Sequence, residues 1–207
     1  MHYIQGLDFM ATTESMALFY ASAAKYGFAY IENVLTQRVL ADLCAESSVQ
    51  FESALPAEGK GESPYRSRIA EIGDFARSFL NSSSVAWVLR SAFGPTLILS
   101  EKASCYTYYG PGDFLSRHRD RHDACAATLI VYLEARSTDP PPLDTGLVLR
   151  VFGEEVSNQT EPSLTIPTRI NTLVAGRGAR FWHERPSLQS KECVIALTAC
   201  FRDCSSS

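Results

Sequence analysis

The stretch YYGPGDFLSRHRDRH, residues 108–122, places two histidines and two aspartates after a glycine-proline turn. Residues i and i+2 of an extended segment point to the same face, so the side chains of His118 and Asp120 converge without special backbone geometry. Such a pair can form part of a facial triad of two histidines and one carboxylate, which leaves coordination positions open on Fe(II). The same spacing is common among solvated surface residues, so a metal site also needs a ligand from a distant part of the chain.

The candidate for that third ligand is His183, within GRGARFWHERPSL at 176–188. Two aromatic residues precede it and a proline follows shortly after, which is typical of a strand end. A histidine packed beside Trp182 without a metal is the alternative. His122 is a competing local ligand, although the polar run around it favours a turn away from the strand. His2 is expected to lie in a frayed terminus.

The pattern of the chain changes after Gly94. Helical patterns occupy four stretches of the first 94 residues, at 13–26, 36–55, 68–83 and 85–94. The glycine- and charge-rich residues 56–67 are predicted to form a loop. Beyond Gly94, short β-rich runs are separated by proline, glycine and aspartate, and AATLIVYLEA at 126–135 has the composition of a buried strand.

These patterns predict an α+β protein with one domain spanning 1–207. Residues 1–94 would form a mainly helical support region, and residues 95–203 an antiparallel β core of barrel or jelly-roll type. With 207 residues, of which 45% are hydrophobic and 20% charged, the chain can bury a substantial core.

Composition also limits the partners. The net charge of −4 gives no general attraction for nucleic acid or for an anionic membrane, so neither is expected as a partner. No run has the length of a membrane-spanning helix, and the N-terminal residues lack a signal-peptide pattern, so a cytoplasmic location is expected. The sequence leaves the oligomeric state open.

Most of the six cysteines are expected to be buried free thiols, with a zinc cluster or disulfides as the alternative.

Four segments in this order carry a family resemblance: YYGPGDFLSRHRD, TLIVYLEA, a glycine before RFWHERPSL, and a strand led by Lys191. Together they resemble the Fe(II)- and 2-oxoglutarate-dependent dioxygenases, with the prolyl 4-hydroxylase-like branch as the nearest match. The resemblance covers most of residues 27–202. It implies a double-stranded β-helix, a form of jelly roll, with helices packed on one side. It also implies that His118, Asp120 and His183 hold Fe(II), with 2-oxoglutarate as cosubstrate and O₂ as oxidant.

In this family a basic side chain holds the far carboxylate of 2-oxoglutarate, as a charge-assisted hydrogen bond requires. Lys191, eight residues after His183, matches the family position, and Arg202 is its rival on the same predicted strand. Tyr109 matches a family tyrosine that hydrogen-bonds 2-oxoglutarate, and Thr107 shares its strand face. A barrel-core aromatic is the alternative for Tyr109, and a solvated charge is the alternative for each basic residue.

Three arginines, Arg150, Arg180 and Arg185, are candidates for binding a substrate that carries a carboxylate, with solvated surface charge as the alternative. The segment DTGLVLRVFG departs from the family's usual turn before this strand, so substrate contacts at 144–149 are in doubt. By this resemblance, Asp120 favours hydroxylation, or a related desaturation or cyclisation, over halogenation, because the halogenating relatives lack this carboxylate. The expected function is hydroxylation of an unactivated C–H of a small molecule, such as a free amino acid or a biosynthetic intermediate. A protein prolyl or side-chain hydroxylase and a non-catalytic jelly-roll binding protein are the alternatives.

Overall fold

The structure is a computed structural model, and it describes residues 3–5, 8–94, 97–137, 145–155 and 160–204. His2 and Asp144, both considered in the sequence analysis, lie outside these ranges. Within them, no helix combines the length and apolar character needed to cross a bilayer.

The four helices begin and end where capping residues stand. They are α1 (Thr13–Tyr26), α2 (Gln37–Phe51), α3 (Asp74–Leu80) and α4 (Ser83–Phe93). Thr12, Thr36 and Ser82 each accept a hydrogen bond from a first-turn backbone N–H, which satisfies a donor that the helix leaves unpaired. After α1, Gly27 has a φ of 69°, a left-handed conformation that glycine adopts at low cost.

Fourteen strands are present in the described ranges, and they run from the N-terminus almost to the last described residue. They are β1 (Tyr3–Gln5), β2 (Met10–Thr12), β3 (Phe28–Glu32), β4 (Leu55–Gly59), β5 (Tyr65–Glu71), β6 (Leu97–Leu99), β7 (Cys105–Tyr109), β8 (Phe114–His118), β9 (Ala127–Arg136), β10 (Val148–Val151), β11 (Leu164–Pro167), β12 (Thr172–Gly176), β13 (His183–Arg185) and β14 (Cys193–Asp203). A short 3-10 helix occupies Glu101–Ala103.

Twelve of these strands form one antiparallel sheet in the order β11-β10-β13-β8-β5-β7-β14-β9-β12-β3, with β4 added to β5 and β6 to β14. The sheet bends round so that β7, β9 and β14 face β8, β10 and β13 across a common interior cavity. The result is a nearly closed barrel of the jelly-roll or double-stranded β-helix type, which confirms the predicted fold class.

Strand β9 shows how side chains that alternate between the two faces of a strand build this architecture. Leu129, Val131 and Leu133 on one face join a core cluster with all four helices. Ile130 and Tyr132 on the other face point into the barrel, against residues of the second core cluster. The helices therefore cover the outer face of one half of the sheet, as predicted, and leave the barrel interior free for a site.

The N-terminal region contributes more strand than the sequence patterns predicted. The residues predicted as a loop at 56–67 belong largely to a β-hairpin of β4 and β5, so that prediction was wrong. The helix predicted at 68–83 was wrong for its first six residues, since β5 continues to Glu71 and α3 starts at Asp74. In β5 the buried residues Ser67 and Ala70 are three apart, a spacing that a helix also produces. Strand β5 pairs with both β7 and β8 and so joins the two halves of the barrel.

Candidate metal and cosubstrate site

The structure brings His118, Asp120 and His183 together at one end of the barrel interior. His118 ends β8 and His183 starts β13, and the two residues are directly opposite each other in the sheet. The Oδ1 atom of Asp120 lies 3.3 Å from Nε2 of His118 and 3.6 Å from Nε2 of His183. One ligand atom from each residue lies within 4.8 Å of the other two, which is the spacing of donors around a single ion.

Both imidazoles are oriented by backbone carbonyls. Nδ1 of His118 is 2.9 Å from the carbonyl oxygen of Ser116, and Nδ1 of His183 is 3.1 Å from that of Phe181. In the tautomer that donates through Nδ1, each ring turns an unprotonated Nε2 toward Asp120. Metal-ligating histidines ordinarily have such a second hydrogen bond, because it fixes both tautomer and ring direction.

Asp120 is held by two contacts besides the histidines. Its backbone N–H donates to the carbonyl oxygen of Gly178 at 3.0 Å, and the Thr128 hydroxyl donates to its Oδ2 atom. Oδ1 therefore faces the two imidazoles while Oδ2 is occupied. Gly178 is required for this approach, since a Cβ at that position would overlap Oδ2 of Asp120 and crowd the Thr128 hydroxyl.

The charges of the three residues are strongly coupled. Burial raises the pKa of Asp120, but His183 and the hydrogen bonds from His118 and Thr128 outweigh it and lower the pKa to about 2. Burial lowers the pKa of His118, yet its hydrogen bond to Asp120 and the carboxylate charge produce a net raised pKa. For His183 burial dominates and the pKa is lowered, which favours the neutral imidazole that metals require.

The triad opens into a cavity of about 150 Å³ inside the barrel. Its walls come from β7, β8, β9, β10, β13 and β14, and its lining residues are Thr107, Tyr109, Leu115, His118, Asp120, Thr128, Ile130, Tyr132, Leu149, His183, Arg185, Ala196 and Thr198. Thr107 and Tyr109, which the sequence analysis placed near the cosubstrate, are both among them.

Arg185 is a charged residue that lines this cavity but does not belong to the triad. Its side chain is only 4% exposed and lies two residues beyond His183, on the same strand face. The guanidinium donates to the Tyr132 hydroxyl at 2.7 Å, to the Thr168 hydroxyl at 2.9 Å and to the Gly146 carbonyl. All three partners are neutral, and no carboxylate in the described ranges forms an ion pair with Arg185. A buried cation of this kind is costly unless an anion joins it.

Tyr109 lies beside Arg185, with the guanidinium 5.3 Å from its ring centroid. Burial raises the pKa of Tyr109 to about 12, although the positive charge of Arg185 acts in the opposite direction. The phenol therefore stays protonated and can donate a hydrogen bond to an acceptor in the cavity. Thr107 contacts Thr198 across the wall, with 3.2 Å between their hydroxyl oxygens.

The other basic residues considered in the sequence analysis do not line this cavity. Lys191 is exposed, in a turn where its φ is 72°, and Arg202 is exposed near the end of β14. Arg150 lies 3.5 Å from Glu184 and is absent from the cavity walls, while the exposed Arg180 forms an ion pair with Glu154 at 2.8 Å. Of the three arginines predicted to contact substrate, only Arg185 reaches the interior.

Sequence reasoning missed Thr128, Tyr132 and Gly178. The alternation in TLIVYLEA contained the signal for the first two, since Thr128 and Tyr132 share a face with Ile130.

The cysteine prediction was wrong for one pair, because Cys125 and Cys200 form a disulfide. The four remaining cysteines are thiols outside any disulfide, but Cys44, Cys105 and Cys193 are only half-buried and Cys204 is exposed.

Comparison with known proteins rests on three-dimensional structure. No protein-family model matches the chain, and no curated protein matches its sequence. A Pseudomonas putida prolyl-4-hydroxylase superposes with a TM-score of 0.67 at 18% identity, over 91% of this chain and 98% of that one. This chain has the fold of the 2-oxoglutarate- and Fe(II)-dependent oxygenases. The resemblance inferred from the sequence is thereby confirmed at the level of fold.

Two further neighbours act in nogalamycin biosynthesis. A non-heme alpha ketoglutarate dependent epimerase, in complex with Fe³⁺, alpha ketoglutarate and nogalamycin RO, has a TM-score of 0.68 at 15% identity, over 93% of this chain and 85% of that one. A non-heme alpha ketoglutarate dependent carbocyclase has the same TM-score at 14% identity, over 93% of this chain and 84% of that one. The neighbours with this fold thus include proteins named as a hydroxylase, an epimerase and a carbocyclase.

Proposed function

We propose that the protein is an Fe(II)- and 2-oxoglutarate-dependent oxygenase that hydroxylates an unactivated C–H of a small molecule. The observation that carries the proposal is the pairing, in one cavity, of a two-histidine, one-carboxylate triad with a buried arginine that has no acidic partner in the part of the chain that the structure describes. The triad suits Fe(II) with open positions, and the arginine suits the distal carboxylate of a dicarboxylate cosubstrate.

The residues fit these groups in their donor chemistry. His118 and His183 would each offer an Nε2 atom and Asp120 its Oδ1 atom, with tautomers fixed by the carbonyls behind the rings. Arg185 would hold the far carboxylate of 2-oxoglutarate, assisted by the hydroxyl groups of Tyr109 and Tyr132. When bound, iron and 2-oxoglutarate supply the oxidising chemistry, with succinate and CO₂ as coproducts. The apolar wall residues Leu115, Ile130 and Leu149 would exclude water around them.

The proposed substrate is a small molecule, a free amino acid or a biosynthetic intermediate. Support comes from the fold neighbours named as nogalamycin-pathway enzymes. A protein prolyl hydroxylase is the second candidate, and the likeness to the Pseudomonas putida enzyme supports it. A panel of amino acids and metabolites, run beside proline-containing peptides and assayed for succinate, would separate the two.

The first experiment is anaerobic titration of the protein with Fe(II) and 2-oxoglutarate, followed by the weak visible charge-transfer band of the chelated metal. The wild type should develop the band, and His183→Ala should lose it because one of three ligands is gone. His122→Ala is the matched control, since His122 is exposed on the adjacent loop and does not belong to the cluster of ligand atoms. A wild type without the band would refute the proposed cosubstrate. Binding of metal without succinate formation from any substrate would instead support a binding protein.

A further inference from the structure

The Cys125–Cys200 disulfide lies at the metal end of the cavity. Cys125 is 2% exposed and sits in the segment between β8 and β9, while Cys200 lies on β14, directly opposite Thr128 of β9. On β14 the cavity-lining residues Ala196 and Thr198 alternate with residues of the outer face, and Cys200 continues their side of the strand. The disulfide therefore extends the cavity wall beyond the triad.

One hydroxyl group separates the disulfide from a triad residue. The sulfur of Cys125 lies 3.3 Å from the Thr128 hydroxyl oxygen, and that hydroxyl donates to Oδ2 of Asp120. A disulfide sulfur carries no hydrogen and is only a weak acceptor, so the Thr128 hydroxyl gives its single hydrogen to the Asp120 carboxylate, the stronger acceptor. Reduction would turn Cys125 into a donor and would force the two sulfur atoms apart. Both changes act on the position of Thr128.

The backbone provides a second connection. Residues 120–125 begin at Asp120, whose N–H donates to the Gly178 carbonyl at 3.0 Å, and end at Cys125, whose N–H donates to the Arg121 carbonyl at 2.8 Å. The segment is thus fixed at one end by the backbone of the turn between β12 and β13, and at the other by the bond to Cys200, 75 residues away in sequence. Breaking the disulfide would release the second attachment of the segment that carries Asp120.

We propose that Cys125 and Cys200 form a thiol-disulfide switch that sets how tightly the triad holds its metal. The inference rests on the proposed metal-binding function of the triad. In the oxidised state the disulfide fixes Thr128 and the 120–125 segment, and Asp120 is preorganised. A dithiol reductant breaks the S–S bond by supplying two electrons and two protons, which leaves two protein thiols and converts the dithiol to a disulfide. Asp120 then loses part of its support, and metal affinity falls.

Such a device suits the cytoplasmic location expected from the sequence, where disulfides are usually transient or redox-sensing. The nearest free thiol on the same wall is Cys105, which is paired with Thr198 of β14 and contacts Thr107. Burial raises the pKa of the Cys105 thiol, and a thiol that is not ionised is a poor nucleophile for exchange. The switch is therefore assigned to the Cys125–Cys200 pair alone.

The test measures Mn(II) affinity, by electron paramagnetic resonance of the free ion, for the oxidised and reduced protein. The reduced sample is treated with dithiothreitol and freed of it under nitrogen, and alkylation in denaturant should count four free thiols before and six after. Reduction should weaken Mn(II) binding by about 10-fold, the lower end of the effect of changing groups that support a metal ligand. Unchanged or tighter binding after reduction, or six thiols in both samples, would overturn the proposal.

Three variants separate the switch from general effects of reduction. The double variant Cys125→Ala/Cys200→Ala should bind Mn(II) like the reduced wild type in both conditions, while Cys204→Ser should keep the full response. Thr128→Val should bind more weakly and respond much less to reduction, because it lacks the hydroxyl that contacts both groups. Thr128→Val keeps both cysteines, so it remains informative if the double variant does not fold. Oxidised wild-type protein that binds no Mn(II) would refute the proposed metal site itself, a result distinct from binding that ignores reduction.

Discussion

Both faces of β9 are largely buried, but the side chains on the two faces have different roles. Leu129 and Val131 pack against the helices, where many apolar side chains share one core. Thr128 and Tyr132 on the other face form hydrogen bonds with charged groups, Thr128 with Asp120 and Tyr132 with Arg185. Packing depends on volume and tolerates exchange among similar hydrophobes, whereas a hydrogen bond to a buried charge depends on one atom. A variant on one face should therefore change stability, and a variant on the other should change ligand binding.

The largest effect on stability is expected on the helix-facing side. Leu129→Ala should lower the free energy of unfolding by about 2–5 kcal/mol, because Leu129 is fully buried and its truncation leaves a cavity. Mn(II) affinity of the folded protein should stay near that of the wild type. Urea unfolding and metal titration of the same sample would check both. Loss of metal affinity at a temperature where the variant is fully folded would break the contrast between the two faces.

The largest effect on ligand binding is expected at Arg185. Arg185→Gln should raise the 2-oxoglutarate concentration needed for half-maximal charge-transfer signal by about 10- to 150-fold, since hydrogen bonds to charged groups contribute about 1.5–3 kcal/mol. Mn(II) affinity should change much less. Lys191→Gln is the matched control, because Lys191 is exposed and does not line the cavity. A larger effect at Lys191 would restore the assignment made from the sequence.

A smaller effect on metal binding is expected at Gly178, where the backbone lies close to the Asp120 carboxylate. Gly178→Ala should weaken Mn(II) binding by about 10-fold, because the added methyl group overlaps the Asp120 carboxylate and displaces it. Gly110→Ala serves as control, since the nearest atom to a Cβ there is an Asp113 oxygen at 3.8 Å. Equal Mn(II) affinity in the two variants would mean that Asp120 can move without weakening metal binding.

The smallest effect is the pH dependence of the metal-free protein. The pKa of His118 is raised above 6.5, so its interaction with Asp120 stabilises the fold fully below about pH 6.5 and is lost as pH rises through the raised pKa. His183 has a lowered pKa and contributes with the opposite sign. The contribution of His118 is obtained by measuring the free energy of unfolding of the wild type and of His118→Gln at several pH values. The difference between the two proteins at each pH is that contribution. A difference that grows with rising pH would contradict the assigned direction.

Sequence reasoning identified the triad because its geometry is local or periodic. His118 and Asp120 are two residues apart on an extended segment, and His183 lies at a strand start beside an aromatic pair. The fold class followed from the alternating runs after Gly94. Arg185 carried a comparable signal, two residues from His183, but the family position favoured Lys191, and the turn that exposes Lys191 is not evident from the sequence.

Features that depend on distant pairing were less predictable. The β4–β5 hairpin is stabilised by pairing of β5 with β7 and β8, and its own sequence has helix-like spacing with many exposed positions. The Cys125–Cys200 bond joins residues 75 positions apart, and neither cysteine has a spacing motif that marks its partner. In both cases tertiary context decides the outcome, and local propensity does not contain it.

The position of β14 has a consequence for synthesis of the chain on the ribosome. This strand is the last of the fourteen in chain order, yet it lies between β7 and β9 in the sheet and contacts both. Until residues 193–203 leave the exit tunnel, β7 and β9 each expose an unpaired edge with apolar residues, which is a template for aggregation. The cavity, whose wall includes Ala196 and Thr198 of β14, would therefore form only once this strand is inserted.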